Sequence, residues 1–189
     1  MTPQKKYKMK LSDKFWKVWS LPFLTEKELQ EALHYAAVTG QVWRAHFLLT
    51  EKKADVTTKD NLALRWAARG GHAELIEIFL DHGADINAKD GEPLIWAMQF
   101  GRKETALLLV EKGADLSSRH HEALRTAHAQ NDRDFLKAML ASKQDLRAAV
   151  AGLLQQAEEA NNKGLTALYA GYLADKRPFL PPPKGPDLR

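Results

Sequence analysis

The feature that most constrains this chain is a pattern that returns about every 30 residues. Ala-Asp occurs as Ala54-Asp55, Ala84-Asp85 and Ala114-Asp115, and Gln144-Asp145 fills the next slot. Upstream of each pair lies an apolar helix end, Leu48-Leu49, Phe79-Leu80, Leu109-Val110 and Met139-Leu140, followed by a short polar turn that contains Gly83 or Gly113 in the middle copies. The first half of each unit repeats as well: Leu33-His34-Tyr35-Ala36-Ala37, Leu64-Arg65-Trp66-Ala67-Ala68, Leu94-Ile95-Trp96-Ala97-Met98 and Leu124-Arg125-Thr126-Ala127-His128. A period of this length is the mark of a repeat architecture, in which each copy is one supersecondary unit.

Within a copy the local pattern is helical. Gly40, Gly71 and Gly101 follow the first apolar run, with Asn131 in the fourth copy, and these residue types most readily supply the left-handed backbone that ends a helix. In the second run Leu75, Ile76, Phe79 and Leu80 fall on one stripe at helical spacing, as do Ala106, Leu109 and Val110, and Leu136, Met139 and Leu140. Each unit therefore reads as helix, turn, helix and extended finger. One such hairpin cannot bury its stripe alone, so copies must stack, and the outermost copies must differ because one face meets water.

These units resemble ankyrin repeats. The first copy reads LHYAA, the second RGGHAELIEIFLDHGADINAKD and the third LLLVEKGADL, and the resemblance covers about residues 30–146. The copies are about 30 residues long against the usual 33, the loss falling between Asn87-Ala88-Lys89-Asp90 and Leu94. Short units of this kind are similar to those of some bacterial, phage and giant-virus ankyrins, and they imply stubby fingers. The family's Thr-Pro-Leu-His start survives only as Pro93 in one copy and His34 in another. Arg65, Ile95 and Arg125 stand where the histidine would be, which removes its usual bond to a neighbouring loop from three copies.

The expected fold is an all-α ankyrin-repeat α-solenoid with short finger loops and helical caps at both ends. Residues 1–29 read as a basic arm and capping helix, with Phe15, Trp16, Val18, Trp19, Leu21, Phe23 and Leu24 covering the first repeat, Pro22 ending a short helix and Thr25, three residues before Glu28, capping the next. Four repeats follow, at 30–60, 61–90, 91–120 and 121–146, then a helical C-terminal cap over 147–176. In that cap Leu146, Val150, Leu153, Leu154 and Ala157 form an amphipathic helix. Gly164-Leu165-Thr166-Ala167-Leu168 resembles a worn fifth repeat start, and the pair departs from the repeat spacing. Residues 177–189 hold five prolines and read as an extended, mobile tail.

Charge narrows the function. The chain's net charge of +4 sits wholly in residues 1–29, so the repeat body is balanced and is a poor surface for releasing counterions from a phosphate backbone. No run resembles a membrane span. The absence of cysteine excludes disulfides and thiolate chemistry and fits a reducing interior, so cytoplasm is the expected compartment. The N-terminal lysines are not followed by the apolar run of an export signal. There is no phosphate-cradling glycine loop, no paired histidines at metal-protease spacing and no nucleophile elbow. His120, His121 and His128 are read as solvated residues rather than metal ligands, since adjacent side chains diverge and no acidic ligand accompanies His128. His72 and His82 take structural places. No enzyme activity, cofactor, metal or small-molecule substrate is expected.

The resemblance implies a protein partner held on the concave face. The family's variable positions fall here on the fingers, Lys59, Asp60, Asn61, Lys89, Asp90, Glu92, Arg119, His120 and His121, with Arg69, Gln99 and Phe100 behind them. Lys59, Lys89 and Arg119 make a basic file interleaved with Asp60 and Asp90, which suits a patterned protein surface. Tyr35, Trp66 and Trp96 occupy equivalent positions and form an aromatic ladder read first as packing between copies, with Trp66 and Trp96 included among the partner contacts. Phe100, an apolar ring at a normally variable slot, reads as a contact. The role expected is an adaptor or inhibitor. The alternative is attachment to nucleic acid or an anionic membrane through residues 1–17, where Lys14 and Lys17 flank Phe15, Trp16 and Trp19.

Overall fold

In the computed structural model residues 25–142 and 144–175 are described, and ten α-helices and no strand occur among them. The proposed N-terminal arm, its aromatic cap up to Leu24, and the proline-rich tail lie outside the described residues. The chain divides into two units, Met1–Asp85 and Ile86–Arg189. The first holds α1 (Glu26–Thr39), α2 (Val42–Thr50), α3 (Thr58–Gly70) and α4 (Ala73–Asp81). The second holds α5 (Ala88–Gln99), α6 (Lys103–Glu111), α7 (Ser118–Ala129), α8 (Arg133–Leu140), α9 (Arg147–Glu159) and α10 (Lys163–Ala174). This is the all-α fold class expected.

The helix pairs share one junction. Gly40, Gly71, Gly101, Asn131 and Asn161 all adopt positive φ, between 50° and 84°. The next residue in each case donates its backbone N–H to a carbonyl five residues back: Gln41 to Ala36, His72 to Ala67, Arg102 to Ala97, Asp132 to Ala127 and Asn162 to Ala157, at 2.7 to 3.1 Å. This is the Schellman closure, which satisfies helix-terminal carbonyls and turns the chain back on itself. The accepting alanine is buried in every copy, because only a small side chain lets the two helices of a pair approach this closely.

That series corrects the reading of the C-terminal pair. Asn161 follows Asn131 by the same interval as Asn131 follows Gly101, so α9 and α10 keep the repeat spacing. Gly164-Leu165-Thr166-Ala167-Leu168 lies in the first turns of α10, the second helix of the pair, rather than at the start of a first helix. Its Gly-x-Thr-x-Leu look misleads, and the true register is set by Asn161 and by Asn162, whose side chain caps α10 at Leu165 N. Of the expected stripe Leu146, Val150, Leu153 and Ala157 are buried, whereas Leu154 is only half-buried.

Apolar stripes meet inside each unit. In the first, Leu33 and Ala36 of α1, Leu48 of α2, Leu64 of α3 and Leu75, Ile76 and Phe79 of α4 are fully buried. In the second, Leu94, Leu109, Leu116, Leu124, Leu136 and Met139 play the same part, and Tyr169 closes the last pair. Each fully buried leucine contributes about 2 kcal/mol over its exposed state, so the stripe is the main driving force for stacking. Leu80, expected in the stripe, is only half-buried.

The fingers differ from expectation. They are not extended: Lys59-Asp60-Asn61, Lys89-Asp90-Gly91 and Arg119-His120-His121 each form three consecutive left-handed residues, with φ from 47° to 76°. The N–H of the third residue bonds the carbonyl four back, Thr57, Asn87 and Ser117. With three residues fewer than a full-length unit the chain has no room to run out and return, so it reverses inside one left-handed turn. The arrangement costs about 1 to 2 kcal/mol for each residue that is not glycine. Side-chain bonds around the turns offset it. Asp55 accepts from Thr57, and Asp115 accepts from Ser117, through both backbone and hydroxyl donors at 2.7 to 2.8 Å. Asn61 accepts from Asp85 N and Asn87 from Asp115 N. Gln144, standing in place of alanine in the fourth marker, accepts from Leu116 N and donates to Ala114 O, both at 2.7 Å.

Histidines hold structural places. His72 bonds Val38 O at 3.2 Å with its ring over Gly40 and Gly70, where any Cβ would collide, and His82 bonds Ile78 O at 2.8 Å. His34, the one residue surviving at the family's histidine slot, has its Nε2 buried without a partner, whereas Arg65 reaches its own finger at Lys59 O, 3.4 Å away. His128 is no solvated finger residue: it is half-buried, stacked on Tyr169 with centroids 5.8 Å apart, and its Nδ1 lies 3.0 Å from the Tyr169 hydroxyl. Burial pushes the Tyr169 phenol up to about 12.

Two predictions follow from these local arrangements. Gly91 and Gly101 both have positive φ, but a Cβ on Gly91 would lie 2.7 Å from Ser118 Cβ, whereas Gly101 faces open space. Gly101→Ala should cost about 1 kcal/mol and Gly91→Ala roughly 1 to 2 kcal/mol more, measured by urea denaturation. The second concerns acid. Burial holds both His34 and His128 below the ordinary imidazole value of 6.5, with Lys59 adding to the effect at His34. The folded state therefore binds protons less readily than the unfolded chain, so the stability these groups contribute is complete above about pH 6.5 and is lost as pH falls through their folded values. The urea midpoint should decline between about pH 7.5 and pH 5, and His34→Gln with His128→Gln should flatten that decline.

Candidate functional site

The first helix of each pair, together with the left-handed turn that opens it, carries the residues expected to meet a partner. In the first unit Lys59 and Asp60 are exposed on their turn, while Asn61 is buried, its carbonyl oxygen held by Asp85 N at 2.9 Å. Asn61 is therefore a structural residue and not a finger-tip contact. Trp66 and Arg69, one helical turn apart on α3, are both half-buried, and the Arg69 guanidinium lies 4.6 Å from the Trp66 ring centroid. That geometry is a cation–π contact, and it leaves a flat polar-and-aromatic surface rather than a bare indole.

The neighbouring α1 adds two side chains outside the sequence-based set. Tyr35 is 56% exposed and Val38 is 47% exposed. They are three residues apart and share one face of α1, which packs directly on α3. Tyr35 had a signal in the aromatic ladder, where packing was the first reading. The structure leaves it exposed, with the Arg44 guanidinium 5.9 Å from its ring. Val38 had no signal, since a valine near a helix end reads as core.

In the second unit three of the expected residues are joined by direct bonds, and a fourth, Gln99, joins them through Glu122. Arg119 donates to Lys89 O at 3.1 Å and pairs with the Glu92 carboxylate at 3.3 Å and with Glu122 at 3.9 Å. Gln99 donates to the other Glu122 oxygen at 3.2 Å. Glu122, absent from the sequence-based set, thus bridges α5 and α7. The network qualifies the basic file: the Arg119 charge is already matched by two carboxylates, so it serves to position Lys89, Glu92 and Gln99. Glu92, Trp96 and Gln99 are spaced to lie along one face of α5, with Trp96 half-buried, Gln99 exposed and Phe100 44% exposed at the helix end. Asp90 and His120 are exposed on their turns and His121 is half-buried.

The electrostatics of this surface are mixed and local. Outside it, at the start of α8, burial opposes ionisation of Asp132, but hydrogen bonds from Lys103 and from Phe135 N outweigh it and hold the carboxyl below its usual range. Asp115 shows the same balance, burial opposed by bonds from Ser117 and Ser118. Among the described residues no group of three histidine, cysteine, aspartate or glutamate side chains is placed to hold a metal ion, and no helix is long and apolar enough to cross a membrane.

The repeat geometry agrees with comparison to known families. Residues 33–120 match the model for ankyrin repeats, in three copies. No curated protein matches the chain. Ankyrin repeats are in general protein-interaction modules and are typically non-enzymatic. The junctions, the Ala-Asp turns and the match together show that residues 33–120 of this chain are ankyrin repeats.

Proposed function

We propose that the protein is a non-enzymatic adaptor or inhibitor that holds a folded protein partner against its first helices. One observation carries this reading. The large apolar side chains left exposed among the described residues are Tyr35, Val38 and Phe100, and all three lie on or at the end of a first helix. The described second helices leave no large apolar side chain exposed, although Phe47, Ile78, Leu80 and Leu108 are half-buried. An apolar residue kept in water on one kind of helix only has a use there, because exposure costs solubility without adding stability.

The contact set we assign is Lys59, Asp60, Trp66 and Arg69 from the first unit and Lys89, Asp90, Glu92, Trp96, Gln99, Phe100, Arg119, His120 and His121 from the second, joined by Tyr35 and Val38. Tryptophan, tyrosine and arginine are the residue types that dominate binding hot spots, and the bonds around Arg119 mean that little side-chain freedom is lost on docking. Balanced charge, with Lys89 beside Asp90 and Arg119 beside Glu92, favours a protein surface over a polyanion. A cytoplasmic setting fits a chain without cysteine. Nucleic-acid or membrane attachment through residues 1–17 concerns a segment outside the described residues.

Replacing Trp96, Phe100 and Lys89 together by alanine should weaken capture of the partner from native-host extract by about 100-fold or more while the helical circular-dichroism signal stays the same. Capture that is unchanged by the triple substitution, or lost only when residues 1–17 are removed, would count against this face.

A further inference from the structure

A groove runs between α7 and α9, lined by Arg119, Glu122, Arg125 and Thr126 on one side and by Leu153 and Gln156 on the other. Glu122 is the single carboxylate on its wall, and it is already engaged by Gln99 and Arg119. Arg125 is placed differently from its counterparts. The same slot holds His34, Arg65 and Ile95 in the preceding copies, and there the side chain is half-buried or buried, with Arg65 donating to Lys59 O. Arg125 is exposed and makes no hydrogen bond or ion pair with any described residue. With Arg119 already paired with Glu92 and Glu122, the groove presents one open guanidinium, that of Arg125, over a buried Leu153.

We propose that this groove seats an acidic segment of the protein partner, with Arg125 taking an aspartate or glutamate carboxylate in a two-bond pairing and the Thr126 hydroxyl and Gln156 amide flanking it. The proposal rests on the protein-binding reading above and names the chemistry of one part of the partner. A guanidinium is a planar fork whose paired N–H donors match the two oxygens of a carboxylate, and an arginine without an internal counter-ion has that fork open. Because the groove is open to water, the pairing acts on specificity and association and weakens with salt.

The test is an NMR titration of the full chain, labelled with nitrogen-15, using an oligoglutamate peptide of about ten residues as probe. The amides of Arg125, Thr126 and Gln156 should shift saturably. Arg125→Ala should move the midpoint to about tenfold higher peptide concentration, whereas Lys163→Ala, which removes the same charge from an exposed site on α10, should leave it in place. An oligolysine peptide should produce no such shifts. The proposal is overturned if the groove amides do not respond, if they respond equally in Arg125→Ala, if Lys163→Ala has the same effect, or if the peptide perturbs only residues 1–24. These outcomes leave the protein-binding reading intact, since that reading stands or falls on the Trp96, Phe100 and Lys89 substitutions. Amide spectra of each variant confirm that the fold is retained.

Discussion

Every helix pair among the described residues closes on one backbone hydrogen bond. The residue after each left-handed Gly or Asn donates to the carbonyl of an alanine five residues earlier, and it does so at Ala36, Ala67, Ala97, Ala127 and Ala157. That bond closes the end of the first helix and fixes the direction in which the second leaves. Its acceptor must be small, because the second helix comes down over it, and the residue between must tolerate positive φ, which glycine does freely and asparagine does at modest cost. Once the junction is made, the apolar stripes of Leu33, Leu48, Leu64 and Phe79 in one unit, and of Leu94, Leu109, Leu124 and Met139 in the other, have no outlet except each other.

The consequence for function is a division of labour. Second helices leave their large apolar side chains buried or half-buried, and first helices keep an outer face that carries the exposed ones. Phe100 stands where the other copies place Thr39, Gly70 and Gln130, and it is 44% exposed. The bonds from Arg119 to Lys89, Glu92 and Glu122 hold that face of the second unit in place before anything binds. A surface made rigid in advance loses less entropy on association, which is how a modest set of contacts becomes specific.

Much of the fold was legible in the residues themselves. The period, the junction glycines, the buried stripe and the Thr25–Glu28 capping box, with its bonds of 2.8 and 3.3 Å, all rest on local chemistry that a sequence states directly. The left-handed turns were not legible, because Lys59-Asp60 and His120-His121 carry no glycine, and their conformation is imposed by the missing finger residues rather than by preference. The register of α9 and α10 was obscured by a glycine at position 164 that imitates a repeat start. The site was legible in part. Exposed charges on the turns could be listed, but which of them are matched internally depends on the approach of α5 to α7, and so Glu122, the true centre of the network, left no trace in the spacing.

Hydroxyl-radical footprinting of the full chain, alone and bound to its partner, tests the central claim most directly. The account expects Tyr35, Val38, Trp66, Trp96 and Phe100 to lose reactivity on binding, while side chains of the second helices, such as the half-buried Ile78 and Leu108, keep theirs. Protection confined to α2, α4, α6 and α8, or to residues 1–24, with the first helices as reactive as before, would contradict it.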